Sequence, residues 1–283
     1  MERTGRPATG RSALVTGGSR GIGAACVRAL AAGGWRVAFT FFSGRDEAEA
    51  VERSVREEEG VAYAVRANLG NEAHLEKVRE TVESKLGSLH LFVSNAAGGF
   101  LKPGLETEPR ELQRALDVNA QAFLQLARWA AERMAENDAS ALGDLPAPSA
   151  VGERGPVMNR GRILAVTSFG STRYLPDYAG VGASKAALES LVRSLAVELA
   201  PRGVTVNAIC PGVTETRSLS LFPAAETLRR DARERTPAGR MGTPEDVADL
   251  VCLLASPLAH WITGRTLVAD GGHSLVLHGL PER

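Results

Sequence analysis

The chain has 283 residues, 44% of them hydrophobic and 23% charged, with Lys+Arg and Asp+Glu both totalling 33. Such a length suits one α/β domain with a substantial core, and the balanced charge excludes a field that recruits nucleic acid or an anionic membrane. Cys26, Cys210 and Cys252 form no CxxC pair and the histidines no HExxH, so neither a disulfide framework nor a metal site is expected. No apolar run reaches signal-peptide or membrane-spanning length, and the reading is a cytoplasmic protein.

In chain order, short β-branched or aromatic runs alternate with stretches of helical period. Ser12–Thr16 is predicted as a strand and Arg20–Ala32 as a helix stopped by Gly33–Gly34. Val37–Phe42 (strand), Asp46–Glu59 (helix), Val61–Asn68 (strand), Ala73–Leu86 (helix), Leu89–Ser94 (strand) and Pro109–Ala135 (helix) follow. Arg162–Thr167 (strand), Tyr178–Ala200 (helix), Val204–Ile209 (strand), Pro244–Ala255 (helix) and Thr266–Val268 (strand) complete the series. Strands separated by helices pair in parallel through right-handed crossovers, so the expected fold is a single Rossmann-like, doubly wound α/β domain. Its sheet has seven parallel strands flanked by helices. Two segments depart from the alternation. Residues 1–10 read as a flexible tail before the 11–283 domain, and the Pro-containing stretch 137–160 reads as a surface insertion.

The first strand runs into Gly17-Gly18-Ser19-Arg20-Gly21-Ile22-Gly23 and then a helix. Glycines at that spacing let a pyrophosphate approach bare backbone at a helix N-terminus, where free N–H groups and the helix dipole favour an anion. A tight strand–helix turn explains the glycines alone; the strand–turn–helix context favours nucleotide binding. The second strand ends Phe41-Phe42-Ser43-Gly44-Arg45, without the acid that holds a ribose 2′-hydroxyl. Arg20 and Arg45 are therefore expected to flank a 2′-phosphate, which selects NADPH over NADH, and Asn68 and Leu69 to edge the adenine.

These residues resemble the short-chain dehydrogenase/reductase family over nearly the whole chain. Thr16–Gly23 matches its cofactor loop and Ser94-Asn95-Ala96-Ala97 its motif after the fourth strand. Val118-Asn119, Pro211-Gly212 with Thr216, and Asp270-Gly271-Gly272 match further motifs. The resemblance implies that Gly17, Ser19, Arg20, Gly21, Ile22, Gly23, Asn95, Ala96, Lys185, Pro211, Gly212, Val213 and Thr216 bind the dinucleotide. It implies catalytic parts for Tyr178, Lys185, Ser168 and Asn119. Lys185 would hold the nicotinamide ribose and favour the Tyr178 phenolate, Ser168 would orient substrate, and Asn119 would anchor a water-mediated proton path by interrupting its helix.

Four residues before Lys185, where most of the family has tyrosine, stands Val181; Tyr178 stands seven before it. At about 100° per residue both offsets return near one helix face. That Tyr-x6-Lys spacing resembles the enoyl-acyl-carrier-protein reductases, and Arg173–Tyr178 with Thr236–Met241 resembles their type III members. The implied reaction is NADPH-dependent reduction of the carbon–carbon double bond of an enoyl thioester on coenzyme A or an acyl carrier protein, in fatty-acid or polyketide-type metabolism. Cys210–Thr216 and Ser168 resemble carbonyl-reducing members instead, so reduction of a 3-oxoacyl or other ketone stands as an alternative. A non-catalytic NADP(H)-binding protein is a third.

Residues 213–240 are expected to cover the substrate. Phe100, Leu101, Tyr174, Leu175, Leu219, Leu221, Phe222 and Leu228 are candidates for an acyl channel. Arg217, Arg229, Arg230, Arg233, Arg235 and Arg240 would form either a carrier-protein surface or, with interleaved acids, a salt-bridged face. Ala127, Ala130, Ala131, Ala186, Ala187 and Ala196 permit close helix approach, and the family resemblance implies a homotetramer, with a dimer as the alternative.

Overall fold

The computed structural model describes residues 10–143 and 158–276. Seven strands form one sheet in the order β3-β2-β1-β4-β5-β6-β7. They are β1 Ser12–Val15, β2 Arg36–Phe41, β3 Val61–Arg66, β4 Leu91–Ser94, β5 Gly161–Val166, β6 Val204–Pro211 and β7 Thr266–Ala269. Every pairing is parallel, with Leu14 opposite Ala38 on one side and Phe92 on the other. The order reverses between β1 and β4, and a crevice opens there at the carboxyl ends of the strands.

Period-two alternation divides the strand side chains between two cores. On one face Leu14, Phe92, Ile163 and Val206 pack among residues of α3 Glu72–Leu86, α5 Ala122–Ala135 and α6 Ala179–Leu199. On the other, Val15, Phe39, Leu91, Leu164 and Ile209 meet α1 Gly21–Ala32, α2 Arg45–Glu57 and α8 Pro244–Ala255. Burial on both faces explains why these strands read as continuous apolar runs. Helix starts are chemically marked: Asn71 Oδ1 accepts from the His74 amide at 3.2 Å, and Thr243 and Asp246 form a capping box ahead of α8.

Three expectations are corrected. The helix expected over Pro109–Ala135 is α4 Pro109–Leu116, a π-helical turn Asp117–Gln121, and α5. A further helix, α7 Ala225–Arg235, lies in the covering segment behind a 3-10 turn Leu219–Leu221. Tyr178 is the residue before α6 rather than its first turn, at φ −114°, ψ 9°. The tail 1–10 falls almost wholly outside the described residues, as does the middle of 137–160. The roots of that insertion are fastened: Asn137 Nδ2 donates to Leu89 O at 2.8 Å and Arg160 O at 2.9 Å. Leu142 and Asn159 are buried, and the Arg162 guanidinium, buried too, donates to Asn159 Oδ1 at 3.0 Å.

Candidate active site

The crevice is a cleft of about 590 Å³ running from Phe42, Ser43, Asn68 and Leu69 past Gly17–Ile22 to Ser168, Tyr178 and Lys185. Its cofactor end is made of strand ends. Thr16 Oγ1 accepts from the amides of Asn95 (3.0 Å) and Ala96 (3.1 Å), and Asn95 Nδ2 donates to the carbonyls of Thr16 (3.0 Å) and Gly17 (3.1 Å). The Gly17 amide donates to Thr40 Oγ1 at 3.1 Å, so β1, β2 and β4 together hold the loop. A Cβ at Gly23 would lie 2.1 Å from the Gly17 carbonyl oxygen, so only glycine lets α1 close on its own loop.

Of the expected cofactor residues, Gly17, Ser19, Arg20, Gly21, Ile22, Asn68, Leu69, Asn95, Ala96, Lys185, Pro211, Gly212, Val213 and Thr216 line the cleft. Gly23 does not; it acts through packing. Arg45 does not either: it opens α2 with its side chain 81% exposed, and Nε pairs with Glu49 Oε1 one turn on at 3.4 Å. Arg20 alone of the two faces the site, with Nη2 3.5 Å from Ser43 Oγ. The channel candidates Phe100, Leu175, Leu219, Phe222 and Leu228 line the cleft, whereas Leu101, Tyr174 (87% exposed) and Leu221 do not.

Tyr178 reaches the cleft from the loop ahead of α6, preceded by Asp177 at φ 59°. Its ring stacks on Phe222 with centroids 5.4 Å apart, and a Cβ at Gly170 would lie 2.2 Å from that ring. Ser168 Oγ donates to the phenol oxygen at 3.2 Å, which leaves the phenol's own proton to be donated onward. Val181 occupies the family's usual tyrosine position, buried against the backbone at Gly99, where an added Cβ would lie 2.5 Å from Val181 Cγ2.

Lys185 is buried and its Nζ donates to the Val166 carbonyl at 2.7 Å. Burial lowers its pKa to about 8, against the opposing pull of the Glu189 carboxylate. The expectation that Lys185 depresses the phenol is corrected: burial raises the Tyr178 pKa, with the Ser168 hydrogen bond partly offsetting it. The group is a neutral phenol at neutral pH. Asn119 sits in the π-helical turn, as its expected interruption of the helix requires, but off the cleft. Its Oδ1 accepts from the Gly98 amide (2.8 Å) and its Nδ2 donates to Gly98 O (2.9 Å) and Ser184 Oγ (2.7 Å).

Sequence reasoning missed Thr40, Phe42, Arg114, Val118 and Thr214 among the cleft-lining residues. It also missed Glu189, a carboxylate buried among the apolar residues of α6. Five of the covering segment's arginines are paired among the described residues: Arg217 with Glu47, Arg229 with Glu215 and Glu226, Arg233 with Glu215, Arg235 with Asp231, Arg240 with Asp246. That favours the salt-bridged face.

Residues 11–142 match the family profile described as short chain dehydrogenase, and residues 149–274 that described as Enoyl-(Acyl carrier protein) reductase. Over 265 residues the chain is 35% identical to 1-cyclohexenylcarbonyl-CoA reductase of Streptomyces collinus, covering 93% of this chain and 86% of that protein. A 7α-hydroxysteroid dehydrogenase complexed with NADH and 7-oxo glycochenodeoxycholic acid superposes with TM-score 0.80 at 28% identity, covering 96% of this chain and 97% of that one. A short chain dehydrogenase from Burkholderia cenocepacia in complex with NADP superposes with TM-score 0.79 at 30% identity, covering 95% of this chain and all (100%) of the other. The chain belongs to the short-chain dehydrogenase/reductase family and is an oxidoreductase of that family, whose members bind a nicotinamide cofactor. Among the described residues no helix is long and apolar enough to cross a membrane.

Proposed function

We propose that the protein reduces the carbon–carbon double bond of an α,β-unsaturated acyl thioester with NADPH. The observation that carries this reading is the pairing of a cleft-lining Tyr178 with a Val181-filled tyrosine position. The match to the enoyl reductase profile and the likeness to a named CoA reductase support it.

The cleft fits a dinucleotide: the Gly17–Ile22 loop opens on a helix N-terminus, and Arg20 with Ser43 stands where a 2′-phosphate would come. A nicotinamide bound beside Lys185 would supply the hydride. In enoyl reduction the hydride reaches the β-carbon, and negative charge develops on the thioester oxygen two carbons away. The acid must therefore stand off from the hydride-accepting carbon. Tyr178, a neutral phenol steered by Ser168 and braced by Phe222, donates its hydrogen bond to that oxygen and stabilises the enolate, which takes a solvent-derived proton at the α-carbon to give the saturated thioester. The buried Lys185 ammonium holds the ribose hydroxyls in place. Leu175, Leu219, Phe222 and Leu228 supply the apolar wall for the acyl chain.

The test follows NADPH and NADH oxidation with crotonyl-CoA and longer enoyl thioesters and reads the product by mass spectrometry. A saturated acyl product with NADPH preferred supports the reading; a hydroxy product from a ketone, with enoyl thioesters inert, overturns it. A second reading, carbonyl reduction, is favoured by the Ser168–Tyr178 hydrogen bond and by the likeness to a steroid dehydrogenase holding a 7-oxo ligand. The proposed assembly is a homotetramer through α5 and α6, which light scattering of the purified protein tests.

A further inference from the structure

Four residues beyond Lys185 on α6 stands a buried carboxylate that no sequence motif announced. Glu189 lies one helical turn further along α6 and is only 7% exposed. Its Oε1 accepts two hydrogen bonds of 2.6 Å, one from Thr167 Oγ1 at the end of β5 and one from Ser171 Oγ in the 3-10 turn Phe169–Ser171. Ser171 Oγ also lies 2.8 Å from the Ser168 carbonyl oxygen. The carboxylate therefore grips the chain immediately before Ser168 and three residues after it, from the same helix that carries Lys185.

We propose that Glu189 is a positioning residue with two tasks: it fixes the Ser168 turn that steers Tyr178, and it is the counter-charge that keeps buried Lys185 an ammonium. The proposal rests on the reading of Lys185 as the cation that holds the dinucleotide.

The second task is electrostatic. A lysine taken wholly out of water loses its hydration, and desolvation favours the neutral amine. Its one hydrogen bond, to the Val166 carbonyl, brings no full negative charge. Glu189 supplies that charge at an offset of four on one helix, where side chains are neighbours. The other titratable group bearing on Lys185 and Glu189 is Cys210 on β6, on which Asp270 and Arg173 act in turn, and Cys210 also faces Tyr178. Burial pushes the Cys210 thiol up to about 12 and raises the Tyr178 phenol. Asp270 is held below the usual carboxylate range by hydrogen bonds from Ser274 and Gly272. Of these groups, Lys185 is the one that titrates just above neutrality.

Glu189→Gln separates the two tasks. The amide oxygen can still accept from Thr167 and Ser171, whereas the charge is gone. Two pH profiles read the effect, kcat/KM and the NADPH dissociation constant by fluorescence, from neutral to alkaline pH, with thermal melts as the folding control. Loss of the carboxylate disfavours the ammonium, so the alkaline limb of both profiles moves to lower pH by about one unit or more. A limb that stays in place in a folded variant overturns the counter-charge. Should Glu189→Gln fail to fold, Glu189→Asp keeps the charge and shortens the reach. It is expected to leave the limb in place and lower kcat, and a displaced limb overturns the proposal. A parent whose NADPH affinity shows no alkaline limb refutes the underlying reading of Lys185 as well, so the two failures are distinguishable.

Discussion

At the cofactor end of the cleft, the loop Gly17–Ile22 is fastened by Thr16, Thr40 and Asn95 through bonds to backbone atoms at strand ends. At the proposed substrate end, residues 213–240 bury Leu219, Ala225 and Ala232 and add surface ion pairs to the body and within the segment, Arg217–Glu47, Arg229–Glu215 and Arg240–Asp246. Buried bonds to backbone survive salt and leave one geometry; exposed ion pairs contribute at most about 1 kcal/mol each and exchange partners readily. The lesson is a division of labour. The proposed cofactor end is assembled from bonds to backbone, and the proposed substrate end adds surface ion pairs that can be remade.

Four experiments press on that contrast. Tyr178→Phe is expected to lower kcat by about 10²–10⁴-fold while leaving NADPH affinity unchanged, because the phenol proton serves only the acyl end. Equal losses in both would erase the distinction between the two halves. Gly23→Ala should destabilise the cofactor end by about 1–3 kcal/mol, seen as a lower melting temperature and weaker NADPH binding, because the added carbon meets the Gly17 carbonyl oxygen. Removing the stacking ring with Phe222→Ala is expected to raise KM for the acyl substrate roughly fivefold, about 1 kcal/mol, with the dinucleotide dissociation constant unmoved. The smallest effect concerns Asp246, whose carboxyl the Arg240 guanidinium holds well below the usual range. Its folded-state pKa is depressed, so its modest contribution is present above the ordinary carboxylate value and is lost as pH falls through the depressed one. Arg240→Ala should lower the melting temperature slightly at neutral pH, less at high salt, and not at all once Asp246 is protonated. A cost independent of salt would mean that the covering segment is held by packing.

Much of the fold was legible because it is periodic. Each of the seven strands was anticipated within a few residues, since doubly buried parallel strands are short apolar runs between helical stretches. The Gly17–Gly23 loop was legible for a related reason: a backbone that must bend sharply and sit bare leaves glycines in the sequence. What stayed hidden depends on neighbours distant in sequence. Arg45 looked equivalent to Arg20, yet as the first residue of α2 it extends along the helix to Glu49. The interruption of the helix over Pro109–Ala135 was expected at Asn119 from the family resemblance, but no proline or glycine at Asp117–Gln121 marked its π-helical form. Glu189 was overlooked because one carboxylate on an otherwise apolar stripe looks like noise until Thr167, Ser171 and Lys185 are seen around it.

Val181 has a consequence for redesign. Its side chain plugs the space beside Gly99, so the place from which the family's usual tyrosine would act is filled, not merely empty of a phenol. Moving the phenol back to position 181 is therefore more than one substitution: Val181→Tyr leaves Tyr178 and its Ser168 bond in place, so the two positions have to change together.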